Sequence, residues 1–229
     1  TAWALLRLLP VVIFLLIPTL ILILILPNSR RYQNKALYRF LDWTYRGIVW
    51  AIAVPITYEG NVPSFPAIVI ANHQSALDIP LVGVVLHQQP HVWLAHEYYL
   101  RYPVIGTFIR RIGVSVRPLS AEKGVRTMRT SLSLLSQKDR SVVIFPEGTR
   151  HRDGEVHDFR GGFVILARKI GLPVVPVFIQ NAGVVLPPGA RTINPVACRV
   201  VVGNAYTIGE HETDEQFLAR IRAWYQSHA

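Results

Sequence analysis

Val69-Ile70-Ala71-Asn72-His73-Gln74-Ser75-Ala76-Leu77-Asp78 marks the point where a buried apolar run gives way to polar side chains. Upstream, residues 67–71 carry the aliphatics of a core strand. Downstream, Asp78-Ile79-Pro80 followed by Leu81, Val84, Val85 and Leu86 reads as a helix with an apolar face. His73 and Asp78 therefore fall at the C-terminal end of a strand and in the first turn of the following helix. Open α/β sheets hold their ligands at that edge.

The spacing has a chemical meaning. A neutral imidazole that is to remove a proton needs a partner on its other nitrogen to fix its tautomer, and a carboxylate one turn away supplies that hydrogen bond and stabilises the imidazolium that forms. His73 with Asp78 has the form of a general base and its orienting acid. The pair alone is equally compatible with Asp78 serving as a helix cap and His73 as a strand-end side chain.

Outward from this stretch, strands are predicted at 67–71, 92–95, 113–117, 141–145, 174–179 and 198–202, and helices at 79–86, 104–111, 121–136, 159–169 and 213–226. The alternation predicts an α/β layered domain over residues 56–229, with a largely parallel sheet flanked by helices. Asn61-Val62-Pro63-Ser64-Phe65-Pro66 is rich in turn formers and lies at its entrance. The 229 residues, 51% of them hydrophobic, suffice for one full core.

Residues 1–55 differ in kind and read as a membrane-associated N-terminal helical segment. Residues 8–26 are an apolar run broken only by Pro10, Pro18 and Thr19. As a helix the run is about 28 Å long, near the roughly 30 Å hydrocarbon core of a bilayer. Pro18 at its middle is placed to kink it. From Arg30 to Arg46, basic side chains alternate with Tyr32, Leu37, Tyr38, Phe40, Leu41, Trp43 and Tyr45, the composition of an interfacial helix. A soluble helix docked on the globular part is the alternative. More Lys and Arg follow the apolar run than precede it, which predicts that the domain after the run is cytoplasmic. The net charge of +10 suits an anionic membrane or a phosphorylated substrate. Nucleic acid is not expected, because no stacking-aromatic motif accompanies the basic residues. The single Cys, Cys198, lies in an apolar strand and reads as inert packing, so no internal disulfide is possible.

A second constellation follows the predicted strand at 141–145: Phe145-Pro146-Glu147-Gly148-Thr149-Arg150. It presents a carboxylate, a flexible amide and a guanidinium at one sheet edge, and Arg matches phosphate oxygens bidentately. Arg117 stands at another strand end, so the two guanidiniums could converge on one phosphate. A surface turn with Glu147 paired to Arg150 is the plain alternative. Metal ligation is not expected: Pro90 breaks the helix that would align His87 with His91, and His151, Asp153, His157 and Asp158 read as a solvated polar loop.

Taken in order, Asn72-His73 with Asp78, Arg117, Phe145 to Arg150 and Val175-Pro176-Val177 resemble the four blocks of the glycerolipid acyltransferase family, and Phe159-Arg160-Gly161-Gly162 resembles a stretch after its third block. The likeness covers about residues 56–203. It implies a membrane enzyme of phospholipid biosynthesis, in a bacterial-type inner membrane. The enzyme would move an acyl group from acyl-coenzyme A or acyl carrier protein, as co-substrate and with no cofactor, to the free hydroxyl of lysophosphatidic acid. It further implies His73 as base, Asp78 as its partner, and Asn72, Arg117, Glu147, Gly148, Thr149 and Arg150 at the phosphorylated acceptor. The chain departs from the family in carrying His151 where Ser is frequent, and His96 before Glu97 where Lys is frequent. Another lysolipid acceptor, such as a lyso-ornithine lipid, or a non-catalytic membrane lipid-binding protein are the alternatives. Ser75 is a candidate nucleophile for a covalent route.

Overall fold

The computed structural model describes residues 2–116 and 139–229. Arg117 and the helix predicted at 121–136 lie outside the described residues.

The apolar N-terminal run is helical from end to end, as α1 (Ala2–Val11), a π turn (Val12–Leu16) and α2 (Ile17–Ile25). The kink predicted at Pro18 takes the form of that π turn. Proline has no N–H and its ring crowds the carbonyl four residues back, and the wider turn just ahead of it absorbs the misfit, with the Ile17 N–H reaching the Val12 carbonyl. The short α3 (Asn28–Arg31) follows. Arg31 and Arg111 donate to the Leu26 and Leu24 carbonyls at the end of α2, closing groups the helix cannot satisfy itself.

α4 (Lys35–Ile52) is a single helix, capped by Asn34 Oδ1 on the Leu37 N–H, that runs through both the amphipathic stretch and the apolar residues after Arg46. Its aromatic and aliphatic face, with Leu37, Tyr38, Leu41 and Tyr45, is buried in the same core as the sheet. Tyr38 and Tyr45 hydrogen-bond to His91 on β3. The docked-helix alternative is therefore the one observed for this face, and the core continues across residue 55. On its other side α4 holds α1 and α2: Thr19 and Thr44 hydroxyls meet at 3.0 Å, and Gly47 lies against Val11 and Leu15.

Among the described residues one seven-stranded sheet forms, from β1 (Ile56–Glu59), β2 (Ile68–Ala71), β3 (His91–His96), β4 (Gly113–Val116), β5 (Ser141–Ile144), β6 (Val174–Gln180) and β7 (Cys198–Val202). Its order is β1-β7-β6-β2-β5-β3-β4, parallel throughout except where β7 pairs antiparallel with β6. β2 is central and buried on both faces: Val69 and Ala71 enter one core, Ile68 and Ile70 the other, which is why its sequence does not alternate. α5 (Asp78–Leu86) covers the first face together with α4, and α7 (Gly162–Ile170) covers the second together with α9 (Asp214–Gln226). A short α8 (Ala182–Val185) follows β6, and α6 (Pro103–Ile112) joins β3 to β4.

This topology fixes the site. β2 and β5 are neighbours, yet the chain leaves β2 through α5 towards β3 on one side and leaves β5 through α7 towards β6 on the other. The two connections part on opposite faces and open a crevice between the C-terminal ends of β2 and β5. His73 and Phe145 stand there.

Candidate active site

Where β2 leaves the sheet, Asn72 replaces the lost ladder. Its Oδ1 accepts the Ile179 N–H and its Nδ2 donates to the Ile179 carbonyl, both at 2.8 Å. With both ends of its amide bonded to Ile179 and its side chain buried, Asn72 anchors the turn to β6.

The turn then closes on Asp78. One carboxylate oxygen, Oδ2, accepts from His73 Nδ1 at 2.8 Å, from the Gln74 N–H at 2.7 Å and from the Ser75 N–H at 2.8 Å. Asp78 is completely buried. Asp78 is the first residue of α5 and does not cap it: the N-cap is Leu77, without a side-chain bond, and the amides that Asp78 gathers belong to the turn before the helix. Because a carboxylate oxygen accepts, Nδ1 carries the proton, and the lone pair on Nε2 is left for chemistry. The His73 ring stacks on Phe145 at 3.9 Å and 12°, with its side chain 14% exposed at the crevice.

The segment after β5 holds the backbone of His73 from the other side. Glu147 Oε1 accepts the His73 N–H at 2.7 Å, and the His151 N–H donates to the His73 carbonyl at 3.1 Å. Glu147 Oε2 accepts the His157 N–H at 3.3 Å. Burial pushes the Glu147 carboxyl up to about 7, against the pull of these two N–H donors. Each oxygen accepts one backbone N–H, and Oε2 also lies 3.8 Å from His151 Nε2, so Glu147 braces the backbone of His73, and the pairing of Glu147 with Arg150, the plain reading of this turn, is not among its contacts.

Gly148 has φ +75°, a left-handed conformation that makes the turn possible, and the Arg160 guanidinium lies 3.1 Å from where a Cβ would stand. Thr149 is exposed. Arg150 Nη2 donates to the Tyr99 hydroxyl at 2.7 Å, which places the guanidinium between the β5 loop and the 3-10 turn Glu97–Arg101 after β3. A guanidinium held by a phenol keeps further donors for an anion.

Ser75 is excluded as a nucleophile. It is completely buried, donates to the Leu186 carbonyl at 2.7 Å and accepts the Leu77 N–H. Burial raises the Cys198 thiol to about 12, and its Sγ donates to the Gln180 carbonyl. His91 is a core residue lowered by burial to about 4, remote in role from the exposed His87. The loop beyond Arg150 brings His151 onto His157, with rings 3.6 Å apart and 13° from parallel, and Asp153 Oδ2 lies 2.6 Å from His157 Nε2.

The sequence profile of the family described as Acyltransferase matches residues 54–180, more than half of the chain and the stretch that carries both sides of the crevice. The chain belongs to the acyltransferase family. It is 30% identical over 187 residues to the 1-acyl-sn-glycerol-3-phosphate acyltransferase of Limnanthes douglasii, covering 79% of this chain and 64% of the relative. It is 32% identical over 144 residues to the protein of that name from Borreliella burgdorferi, covering 58% of this chain and 54% of the relative. The chain thus spans less than two thirds of the length of either. Its fold matches the crystal structure of the 1-acyl-sn-glycerophosphate acyltransferase PlsC from Thermotoga maritima with a TM-score of 0.79 at 22% identity, over 99% of this chain and 93% of that one.

Two contributions escape a reading of acyltransferase motifs by sequence. Tyr99 reaches Arg150 across 51 positions and Ile179 meets Asn72 across 107. No local pattern marks either one.

Proposed function

We propose that the chain transfers an acyl group from the thioester of coenzyme A or acyl carrier protein to the free hydroxyl of lysophosphatidic acid, giving phosphatidic acid. The observation that carries this reading is the His73–Asp78 pair, with Nε2 open at the crevice between β2 and β5. His73 Nε2 takes the hydroxyl proton as the oxygen forms its bond to the thioester carbonyl carbon, while Asp78 stabilises the imidazolium. The tetrahedral intermediate collapses by breaking the carbon–sulfur bond, and the imidazolium returns the proton to the departing thiolate. Burial of Ser75 favours this direct route over an acyl-enzyme. The amides of Gln74 and Ser75 are spent on Asp78, so they add nothing to the oxyanion. Arg150, which Tyr99 holds beside the β5 loop, is assigned to the acceptor phosphate in this proposal, and Arg117 is assigned to the same task by the family resemblance.

Membrane association is part of the proposal. The helix Trp3–Ile25 is long and apolar enough to cross a membrane by length and composition, and it turns Trp3, Leu6, Leu9, Phe14, Ile21 and Ile25 outward. α1 and α2 both lie against α4, whose far side is fixed to the catalytic core. That arrangement favours insertion along the face of one leaflet, with the crevice at the cytoplasmic surface.

The test is transfer of labelled acyl groups, from acyl-coenzyme A and from acyl carrier protein, to a panel of lysolipids in detergent. Product with lysophosphatidic acid in the wild type and not in His73→Ala is expected. Product only with a different lysolipid would move the acceptor. No product from any pair in folded protein would overturn the proposal.

A further inference from the structure

The loop that braces His73 carries a side-chain cluster the proposed transfer does not use. His151, Asp153 and His157 each offer one ligand atom, and the three atoms lie within 4.8 Å of one another. The two imidazoles are stacked at 3.6 Å, and the carboxylate already shares a proton with His157 Nε2 at 2.6 Å.

We propose that His151, Asp153 and His157 form a binding site for a borderline divalent metal ion, zinc being the best match. Two imidazoles and one carboxylate are the donor set that zinc, cobalt and nickel prefer over magnesium or calcium, which favour oxygen alone. The ion takes the place of the proton shared by His157 and Asp153 and draws His151 onto the same centre. Bonds of about 2.0–2.1 Å require the three atoms to close up by an ångström or so, and one of the two stacked rings to turn so that both nitrogen lone pairs meet the ion. The loop permits this, because Asp153 is exposed and both rings are partly exposed. A His₂–carboxylate set leaves at least one coordination position for water or an anion.

Its place gives the site a consequence. The His151 N–H holds the His73 carbonyl and the His157 N–H holds Glu147 Oε2. An ion joining the two side chains ties these two supports together, and so stiffens the wall behind the His73–Asp78 pair without touching it.

The experiment uses the full chain in detergent, stripped with a chelator and dialysed, with zinc chloride as the probe in equilibrium dialysis and cobalt chloride in visible absorption. The wild type is expected to retain one equivalent of zinc and to give the intense visible bands of low-coordinate, nitrogen-ligated cobalt. His151→Ala and His157→Ala should each weaken zinc by more than the 10–100-fold that loss of an outer-shell partner costs. Asp153→Asn, a conservative change at an exposed position, should do so while leaving the fold intact, and His73→Ala should leave the zinc affinity unchanged. Retention of the full equivalent by all three loop variants, or only the weak spectrum of hydrated cobalt with the wild type, would overturn the proposal.

Discussion

The two loops that meet at His73 are built in opposite ways. The turn from 72 to 78 closes on itself: Asp78 binds the ring of His73 and the amides of Gln74 and Ser75, all within five positions. The segment from 145 to 157 is held by distant partners instead, with Glu147 and His151 on the backbone of His73 and Arg150 on Tyr99. On the proposed mechanism the first loop makes the base. The second sets where the base stands and what faces it. Damage to the first should therefore fall on the rate of proton removal, and damage to the second on stability and on acceptor binding.

The largest effect expected on this division is from Asp78→Asn. The amide can no longer accept from His73 Nδ1 and the backbone amides as a charged group does, so the tautomer that leaves Nε2 free is lost. We expect kcat to fall on the order of 100-fold or more with little change in acceptor KM, within the range general base catalysis supplies. Steady-state kinetics with saturating donor would check it. A change confined to KM would erase the contrast between the loops.

Glu147→Gln should act through stability. The folded carboxyl titrates near 7, above its ordinary value of 4.5, so its stabilisation is complete below about 4.5 and is lost as pH rises through about 7. The wild type should lose on the order of 2 kcal/mol relative to the variant between pH 5 and 8, allowing for solvent screening. His91 works in the opposite sense: it is held neutral down to about 4, so its contribution is present above 6.5 and is lost as pH falls through about 4. Thermal melts of both proteins from pH 4 to 8 would separate the two, since only the Glu147 slope should vanish in the variant.

The smallest effect is expected of Tyr99→Phe. It removes one hydrogen bond to Arg150, worth roughly 0.5–1.5 kcal/mol, so acceptor KM should rise about two- to tenfold with kcat unchanged. An equal fall in kcat would show that the β3 turn reaches the chemistry itself.

The same contrast explains what the sequence made legible. His73 and Asp78 could be paired on paper because their bond closes within one turn, and β2 could be recognised because a strand buried on both faces is a continuous apolar run. β1 is absent from the predicted strands because Ile56–Glu59 is a mostly exposed edge strand of four residues, too short for its apolar–polar alternation to stand out beside the apolar stretch before it. The structural bonds of Asn72 and Glu147 are illegible in the sequence for another reason. Both are polar residues at strand ends, which suggests a ligand, but Asn72 holds backbone 107 positions away and Glu147 Oε1 holds backbone 74 positions away. The amphipathic character of residues 30–46 was read correctly, yet amphipathicity does not say whether lipid or protein covers the apolar face. α5 answers that for α4: Gly83 makes room for the ring of Tyr45, which a Cβ there would meet at 2.2 Å.

The central claim is that His73 and Asp78 act as one unit. The most direct test is a double-mutant cycle in kcat/KM for acyl transfer, comparing wild type, His73→Ala, Asp78→Asn and the double variant in the same detergent. Without the imidazole, Asp78 has nothing to orient, so the double variant should be no slower than His73→Ala alone, which itself should lose about 10²–10⁴-fold. Losses that multiply would mean the carboxylate works independently of the ring, and the account of this site would be wrong.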